Sequence, residues 1–345
     1  MKCYFTDVWD NLLASFAPEH KDIYFEEKYV RLYETEQEKA AAYVAEENGK
    51  ILLMPVLLRE FDSNGTKLYD FETPYGYGGP LCNTPDMNFI LRALNGLKEY
   101  GIAHHFVAGF VRFHPLLGNE TGFDSIGTVI PDRQTVAIDT ALAEEEMWLN
   151  EIHSKNRNTI RKGEKSGLIF VADHEYRNMD KFVALYERTM HKLHADAFYY
   201  FSSLYYERFR RQVDTGFLGT VWLNGRMIAA ALFMYCERLG HYHLAGSDEA
   251  FLAYSPNNFL LWNAACEMHR LGVERFHLGG GINADPHNSL LEFKKRFSKK
   301  LYCFSIGKIV FDKQIYRTLC AEWECMNAGT DKEKVYEKHL LKYKY

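Results

Sequence analysis

Two stretches of the chain alternate between apolar and polar positions in the same way. Residues 43–60 read Tyr-Val-Ala-Glu-Glu-Asn-Gly-Lys-Ile-Leu-Leu-Met-Pro-Val-Leu-Leu-Arg-Glu, an apolar run on each side of the polar turn Asn48-Gly49. Residues 220–233 repeat the arrangement around Asn224-Gly225, with Arg226 following the turn as Lys50 follows the first. Asn-Gly supplies the positive φ angles that a two-residue turn needs, so each stretch predicts a β-hairpin.

The segments after the two hairpins repeat as well. After the first come Tyr69-Asp70-Phe71, a glycine-rich turn, and a helical pattern over 87–100. Met87, Ile90, Leu91, Leu94 and Leu97 have helical spacing, Gly101 is placed as the stop, and a strand is expected around Ala103–Val111. After the second come His241–Gly246, a helix over 257–271 ending at Gly272, and a strand at Glu274–Leu278. The second helix is apolar nearly all round, from Phe259 to Leu271, and is expected to be buried. Two units with the same order of elements argue for a duplicated α/β domain. At about 150 residues per domain, 345 residues allow two.

Between the copies, Asp139 or Thr140 is placed to cap a helix whose first turn holds Glu144, Glu145 and Glu146, as the helix dipole favours. A basic segment, Lys155–Lys165, a strand at Leu168–Ala172 and an amphipathic helix over 179–195 come next. That helix is expected to face Phe182, Leu185, Tyr186, Met190 and Leu193 inward. A strand over Tyr302–Phe311 and two helices close the chain. The boundaries expected are 1–150, 151–312 and a helical tail at 313–345, with a mixed, mostly antiparallel sheet flanked by helices in each domain.

Composition narrows the function. Hydrophobic residues at 47% and charged residues at 25% describe a globular chain. The net charge of −5 excludes a uniformly basic nucleic-acid coat, although positive charge gathers at 155–165 and 294–300. No apolar stretch follows the first residues, Met1–Asp7, so no signal peptide is expected. No run of about 18 apolar residues predicts a membrane span. Seven scattered cysteines without Cys-x-x-Cys pairs read as reduced thiols, and a cytoplasmic protein is expected. Aromatics reach 15%, with 23 tyrosines, which suit either a tyrosine-rich core or a wet cleft.

Three segments carry a resemblance over roughly residues 40–312. They are Tyr75-Gly76-Tyr77-Gly78-Gly79-Pro80, the run Arg157–Gly167, and His277-Leu278-Gly279-Gly280-Gly281 leading to Leu291-Glu292-Phe293-Lys294-Lys295-Arg296-Phe297. Together they resemble the FemAB-like peptidyltransferases, which are built from two tandem GNAT-type acyltransferase domains. The resemblance implies an enzyme that moves an aminoacyl group from aminoacyl-tRNA to an amine of a cell-envelope or peptidoglycan precursor. The acceptor is nucleotide- or lipid-linked, tRNA is a partner, and no cofactor is bound tightly. Two alternatives are an acyl-CoA-dependent N-acyltransferase on an envelope glycan or small amine, and an inactive GNAT-like binding module. The stretch before the second helix, Ala250–Asn258, lacks the Arg/Gln-x-x-Gly-x-Gly/Ala loop of enzymes that use acyl-CoA, which places aminoacyl-tRNA ahead.

The resemblance also proposes site residues. Phe293-Lys294 matches a pair lining the donor and acceptor site, and a fixed cation there stabilises the oxyanion of acyl transfer. The competing expectation for Lys294 is an exposed basic helix face shared with Lys295, Arg296, Lys299 and Lys300. Arg157, Arg161 and Lys165 recur every four residues, so Arg157 and Arg161 are candidates to grip phosphate. Tyr75 and Tyr77 are candidates for a wall of the acceptor cleft; where the family carries a carboxylate after this turn, the matching place holds Asn83. Tyr242 is placed to donate a hydrogen bond to the leaving oxygen, and His241 or His243 to accept a proton from the attacking amine. Asn258 is a candidate for the donor's phosphate or ribose. Gly279–Ala284 satisfies a dinucleotide-binding pattern in letters, but Asn283, Asp285 and Pro286 suit a loop rather than the required helix. No metal is expected: His104 and His105 read as opposite-facing strand residues, and neither they nor His114 show metal-binding spacing.

Overall fold

A computed structural model describes residues 1–196, 199–285 and 287–345. It divides into two compact units. Unit 1 holds Met1–His20, Tyr24–Asp132 and Phe304–Tyr345, and unit 2 holds Lys21–Ile23 and Arg133–Cys303. Along the chain come β1 (Lys2–Thr6), α1 (Asp10–Leu13), α2 (Glu27–Val30), β2 (Glu38–Glu47), β3 (Lys50–Ser63), β4 (Thr66–Glu72), β5 (Leu81–Cys82), α3 (Met87–Ala103), β6 (Phe106–Arg112) and β7 (Thr128–Asp139). Next are α4 (Glu144–Asn150), α5 (Ser154–Lys165), β8 (Ile169–Asp173), α6 (Met179–Lys192), α7 (Ser203–Gln212), β9 (Gly216–Leu223), β10 (Arg226–Cys236) and β11 (Leu239–Ser247). The chain ends with α8 (Pro256–Arg270), β12 (Arg275–Gly280), α9 (Ser289–Lys295), β13 (Leu301–Val310), α10 (Lys313–Asn327) and α11 (Asp331–Tyr336).

In unit 1 the strands lie in the order β1-β2-β3-β4-β6-β13, with β5 beside β3. β4 and β6 run parallel and the other pairs are antiparallel. α3 joins the parallel pair. Asp86 caps it by accepting from the amides of Asn88 and Phe89. Its Phe89, Ala93, Leu94 and Leu97 pack against Tyr43, Leu52, Met54 and Val111. Gly101 does not stop this helix. A Cβ there would lie 2.3 Å from the Phe311 ring, so the glycine admits that ring. The helix continues to Ala103, and His105 (φ 58°) turns the chain instead. His104 and His105 therefore precede the strand rather than alternating along it, and the His104 ring stacks on Tyr100 at 3.9 Å.

Unit 2 repeats the plan in the order β7-β12-β11-β10-β9-β8. β11 and β12 run parallel, with α8 joining them, and the other pairs are antiparallel. Phe259, Leu260, Leu261, Ala264, Ala265, Cys266 and Met268 of α8 are buried, as its apolar composition predicts. Both predicted turns take positive φ at two successive residues, 52° and 80° at Asn48-Gly49 and 49° and 77° at Asn224-Gly225.

Several local expectations change. The last strand's outer half pairs with β6, and Leu340 and Leu341 pack with Leu68, Val107 and Ala108, so residues 304–345 belong to unit 1. The second unit begins at Arg133 because the later residues of β7 pair with β12. α4 starts at Glu144 without a side-chain cap: Asp139 pairs with Arg275 and Lys300, and Thr140 Oγ1 donates to the Val273 carbonyl. α6 ends at Lys192, which leaves Leu193 60% exposed rather than inward. Among the described residues no helix is long and apolar enough to cross a membrane.

Candidate active site

β11 and β12 share only three rungs, Leu239 with Arg275, Gly240 with Phe276 and His241 with His277. Beyond them β11 stays with β10 and β12 stays with β7. Each strand bulges just past the last shared rung. On β11, Tyr242 pairs Phe233 and Leu244 pairs Leu232, which leaves His243 as the extra residue. On β12, His277 pairs Ala137 and Gly279 pairs Val136, which leaves Leu278 extra. A bulge bends its strand and increases the local twist, so two bulges at one level part the strands. Gly279 sits at φ 74°, a conformation that glycine adopts without strain. The result is a wedge between Tyr242–Ser247 and Leu278–Gly280.

The corresponding pair in unit 1 is closed. β4 and β6 remain paired through Glu72 and Phe110. The Thr73 amide then donates to the Phe110 carbonyl, the Arg112 amide donates to Thr73 Oγ1 at 2.9 Å, and Gly78 bridges to Phe113.

Lys294 spans the unit 2 wedge. Asn288 caps α9 by accepting from the amides of Leu290 and Leu291. Leu291 anchors the helix in the core, and Lys294, three residues on, lies on the same side. Its Nζ donates to the Gly280 carbonyl of β12 at 2.7 Å and stands 5.8 Å from the ring centroid of Tyr242 on β11. Lys294 is 6% exposed, whereas Lys299 and Lys300 are exposed and Lys295 pairs with Glu292. The basic-face expectation therefore does not hold for Lys294. Burial, and then the charge of Arg133, lower its ammonium to about 7. Burial raises the Tyr242 hydroxyl above its ordinary value, so it keeps its proton at neutral pH. Phe293 packs against the same core and meets Phe297 edge-on at 5.5 Å.

The histidines of β11 have other work. His243 Nε2 lies 2.6 Å from the Tyr205 hydroxyl, and its ring stacks on Phe209. Burial, then the charge of His241, lower it to about 3, which makes it a poor base for an amine. His241 is 1% exposed, with Nε2 2.7 Å from Asp22 Oδ2. The pair fixes the Lys21–Ile23 segment to β11 and is withdrawn from solvent. The expectation of a histidine base fits neither residue.

Other sequence-based candidates are tied into the fold. Arg157 Nη1 donates to the carbonyls of Trp148, Leu149 and Ile152, which caps the end of α4. Arg161 is exposed and its guanidinium lies 5.3 Å from the Trp148 ring centroid. Asn258 Nδ2 donates to Asn156 Oδ1 at 2.7 Å, and Asn156 Nδ2 donates to the Arg296 carbonyl. Tyr75 and Tyr77 belong to unit 1. The Tyr75 carbonyl accepts from the Tyr29 hydroxyl at 2.7 Å, and Tyr77 meets Tyr24 edge-on at 5.4 Å. A Cβ on Gly76 (φ 94°) would lie 2.4 Å from the Tyr24 ring, so the turn requires glycine. Asn83 accepts from the Ile51 amide and donates to the Gly49 carbonyl, a stitch between strands.

The run 279–284 is the end of β12 followed by a turn, with no helix opening from it; Pro286 lies outside the described residues. Arg133 holds this turn, donating to the carbonyls of Gly281 and Ile282. No motif surrounds Arg133 in the sequence, and it emerges only from the pairing of β7 with β12.

Residues 153–295 match the family model described as the acetyltransferase (GNAT) domain. A search of curated proteins finds no match to the chain. Among solved structures, FemX is similar with a TM-score of 0.71 at 13% identity, covering 92% of this chain and 99% of that one. The C-terminal domain of a putative lysylphosphatidylglycerol synthetase from Agrobacterium fabrum is similar with a TM-score of 0.55 at 14% identity, covering 90% and 92%. A tandem GNAT protein from the clavulanic acid biosynthesis pathway gives 0.51 at 7% identity, covering 90% and 99%. The chain therefore has the tandem GNAT architecture of an acyltransferase, and the matched acetyltransferase (GNAT) domain lies wholly inside unit 2.

Proposed function

We propose that the protein transfers an aminoacyl group from aminoacyl-tRNA to an amine of a nucleotide- or lipid-linked cell-envelope precursor, in the cytoplasm. The observation that carries this is the buried Lys294 ammonium set across the parted strands of unit 2, beside Tyr242. Acyl transfer places negative charge on the carbonyl oxygen as the amine attacks, and a preorganised cation in a dry site stabilises it strongly. The new bond joins the amine nitrogen to the carbonyl carbon, and the bond from that carbon to the tRNA oxygen breaks. Tyr242 gives its proton to the leaving oxygen and recovers one from the nitrogen. No covalent enzyme intermediate is required. Phe293 forms an apolar wall of the same centre, Arg161 contacts donor phosphate, and Tyr75 and Tyr77 in unit 1 serve the acceptor.

The segment before α8 supports tRNA over acyl-CoA as donor. In place of a glycine-rich phosphate loop it forms a 3₁₀ turn over Glu249–Tyr254. Asp248 and Glu249 stand at its start, paired with Arg226 and Lys192. The acetyltransferase (GNAT) match favours the second option, acyl-CoA-dependent N-acylation.

The test supplies the purified protein with a mixed pool of tRNA charged with labelled amino acids, or with labelled acetyl-CoA. Nucleotide-linked and lipid-linked envelope precursors serve as acceptors, and products are read by mass spectrometry. Transfer from tRNA that is lost in Lys294→Ala supports the proposal. Transfer from acetyl-CoA alone replaces it with the second option, and transfer from neither leaves a binding module.

A further inference from the structure

Arg133 closes a circuit around Lys294. Its Nη1 donates to the Gly281 carbonyl at 3.2 Å and the Ile282 carbonyl at 2.7 Å. The preceding carbonyl in the same turn, that of Gly280, accepts from Lys294 Nζ. On the other side of the turn a Cβ on Gly281 would lie 2.8 Å from Asn288 Oδ1, and Asn288 caps the helix that carries Lys294. The backbone of Gly280 is itself close-packed on β7, where a Cβ would lie 2.6 Å from the Gln134 carbonyl. Three consecutive carbonyls are thus held by two cations, and the helix bearing one cation starts against the turn held by the other.

We propose that Arg133 is the positioning residue of this centre: it clamps the Gly280–Ile282 turn so that the Gly280 carbonyl meets Lys294 Nζ, and it sets a second positive charge against the ammonium. The proposal deepens the acyl-transfer reading by giving the wedge a means of tuning its own lysine. A carbonyl fixed from behind presents its oxygen in one direction, so Lys294 is oriented without a carboxylate that would hold it permanently charged. Among the described residues, the groups that β11, β12 and α9 bring to Lys294 do not counter Arg133. β11 offers Tyr242, which keeps its proton; the end of β12 and the residue after it offer glycine backbone at 279–281; and on α9 Glu292 is engaged by Lys295. The lowering of Lys294 to about 7 by burial and by Arg133 accords with this arrangement.

The first arm needs no substrate. The full-length protein is produced with ¹³C-labelled lysine, and the side-chain resonance of Lys294, assigned by its loss in Lys294→Ala, is titrated by NMR. The wild-type midpoint is expected near 7. Arg133→Met and Arg133→Gln are each expected to move it upward by about one pH unit, because a positive neighbour has gone. Arg133→Lys keeps a charge but offers no planar fork, and its midpoint is expected to stay within about half a unit of wild type. An unmoved midpoint in a folded Arg133→Met or Arg133→Gln protein, judged by its circular dichroism, overturns the charge half.

The second arm measures transfer. Arg133→Lys is expected to lower kcat about tenfold or more with KM for the donor unchanged, as a displaced group in a reacting centre does. Wild-type kcat in that variant overturns the clamp. Should the protein prove not to be an acyltransferase at all, the titration arm still decides whether Arg133 governs Lys294.

Discussion

Replacing Lys294 by methionine should change how stability depends on pH, and the size of the change can be worked from the structure. Burial and Arg133 lower the Lys294 ammonium from 10.5 to about 7. Each pH unit is worth about 1.36 kcal/mol, so the full difference is about 5 kcal/mol. The unfolded chain holds this proton up to about pH 10.5, while the folded protein releases it above about pH 7. Between those values the unfolded state binds more protons, and stability rises with pH. The contribution is complete above about pH 10.5 and is lost as pH falls toward 7. Urea unfolding of wild type and Lys294→Met at pH 7.5, 8.5 and 9.5 samples this window, and subtracting the two curves removes the other titrating groups. Wild type should gain on the variant by about 2.5 kcal/mol across those two units. A difference that stays flat to within about 0.5 kcal/mol would mean that Lys294 ionises as an ordinary surface lysine does. The tuning assigned to burial and Arg133 would then be wrong.

Three other outcomes are expected. Gly279→Ala places a side chain at φ 74° and should cost about 1–2 kcal/mol in thermal unfolding, with transfer reduced further because the bulge beside Lys294 shifts. Arg157→Met removes three carbonyl contacts at the end of α4 and should destabilise by about 1–3 kcal/mol while leaving the KM for charged tRNA unchanged; a raised KM with full stability would return Arg157 to the binding surface. Arg161→Ala should raise that KM and flatten its dependence on salt, since an exposed arginine acting on phosphate does so through counterion release; an unchanged salt slope removes Arg161 from the donor site.

Much of the fold was legible because it rests on local chemistry that the sequence displays. Asn48-Gly49 and Asn224-Gly225 can do little other than turn a hairpin, and an all-round apolar α8 has to be buried. Gly101 misled because glycine has two uses. At Gly272 it takes a left-handed φ after a helix, whereas at Gly101 it makes room for Phe311, a residue distant in sequence. The site was legible only in part. Lys294 stood out beside Phe293, yet its burial among exposed lysines depends on where α9 lies against β12. Arg157 looked like a phosphate ligand because its spacing with Arg161 is helical. Only the tertiary path of α4 shows that its guanidinium is already occupied. Arg133 carries no local signal, since its partners lie about 150 residues away. The tyrosine excess divides similarly. Tyr29 and Tyr43 are fully buried, while Tyr75, Tyr77 and Tyr242 keep part of their surface open.

Duplication of the fold has not duplicated the opening. A parallel pair joined by a helix occurs in both units, but only β11 and β12 part beyond their shared rungs. The difference comes down to a few contacts. In unit 1, Arg112 donates its amide to Thr73 Oγ1 and its Nη1 to the Thr73 carbonyl, and its guanidinium also reaches Glu72. Those bonds fill the place where the wedge would open. In unit 2 the residues past the last shared rung include His243 and Leu278, each the extra residue of a bulge. The side chain that enters the gap is a lysine from α9. A strand pair sealed by a half-buried arginine and a buried threonine has no free edge to offer an acyl group. On the acyl-transfer proposal, the chemistry falls to unit 2, and the glycine turn with its half-buried Tyr75 and Tyr77 is the candidate contribution of unit 1.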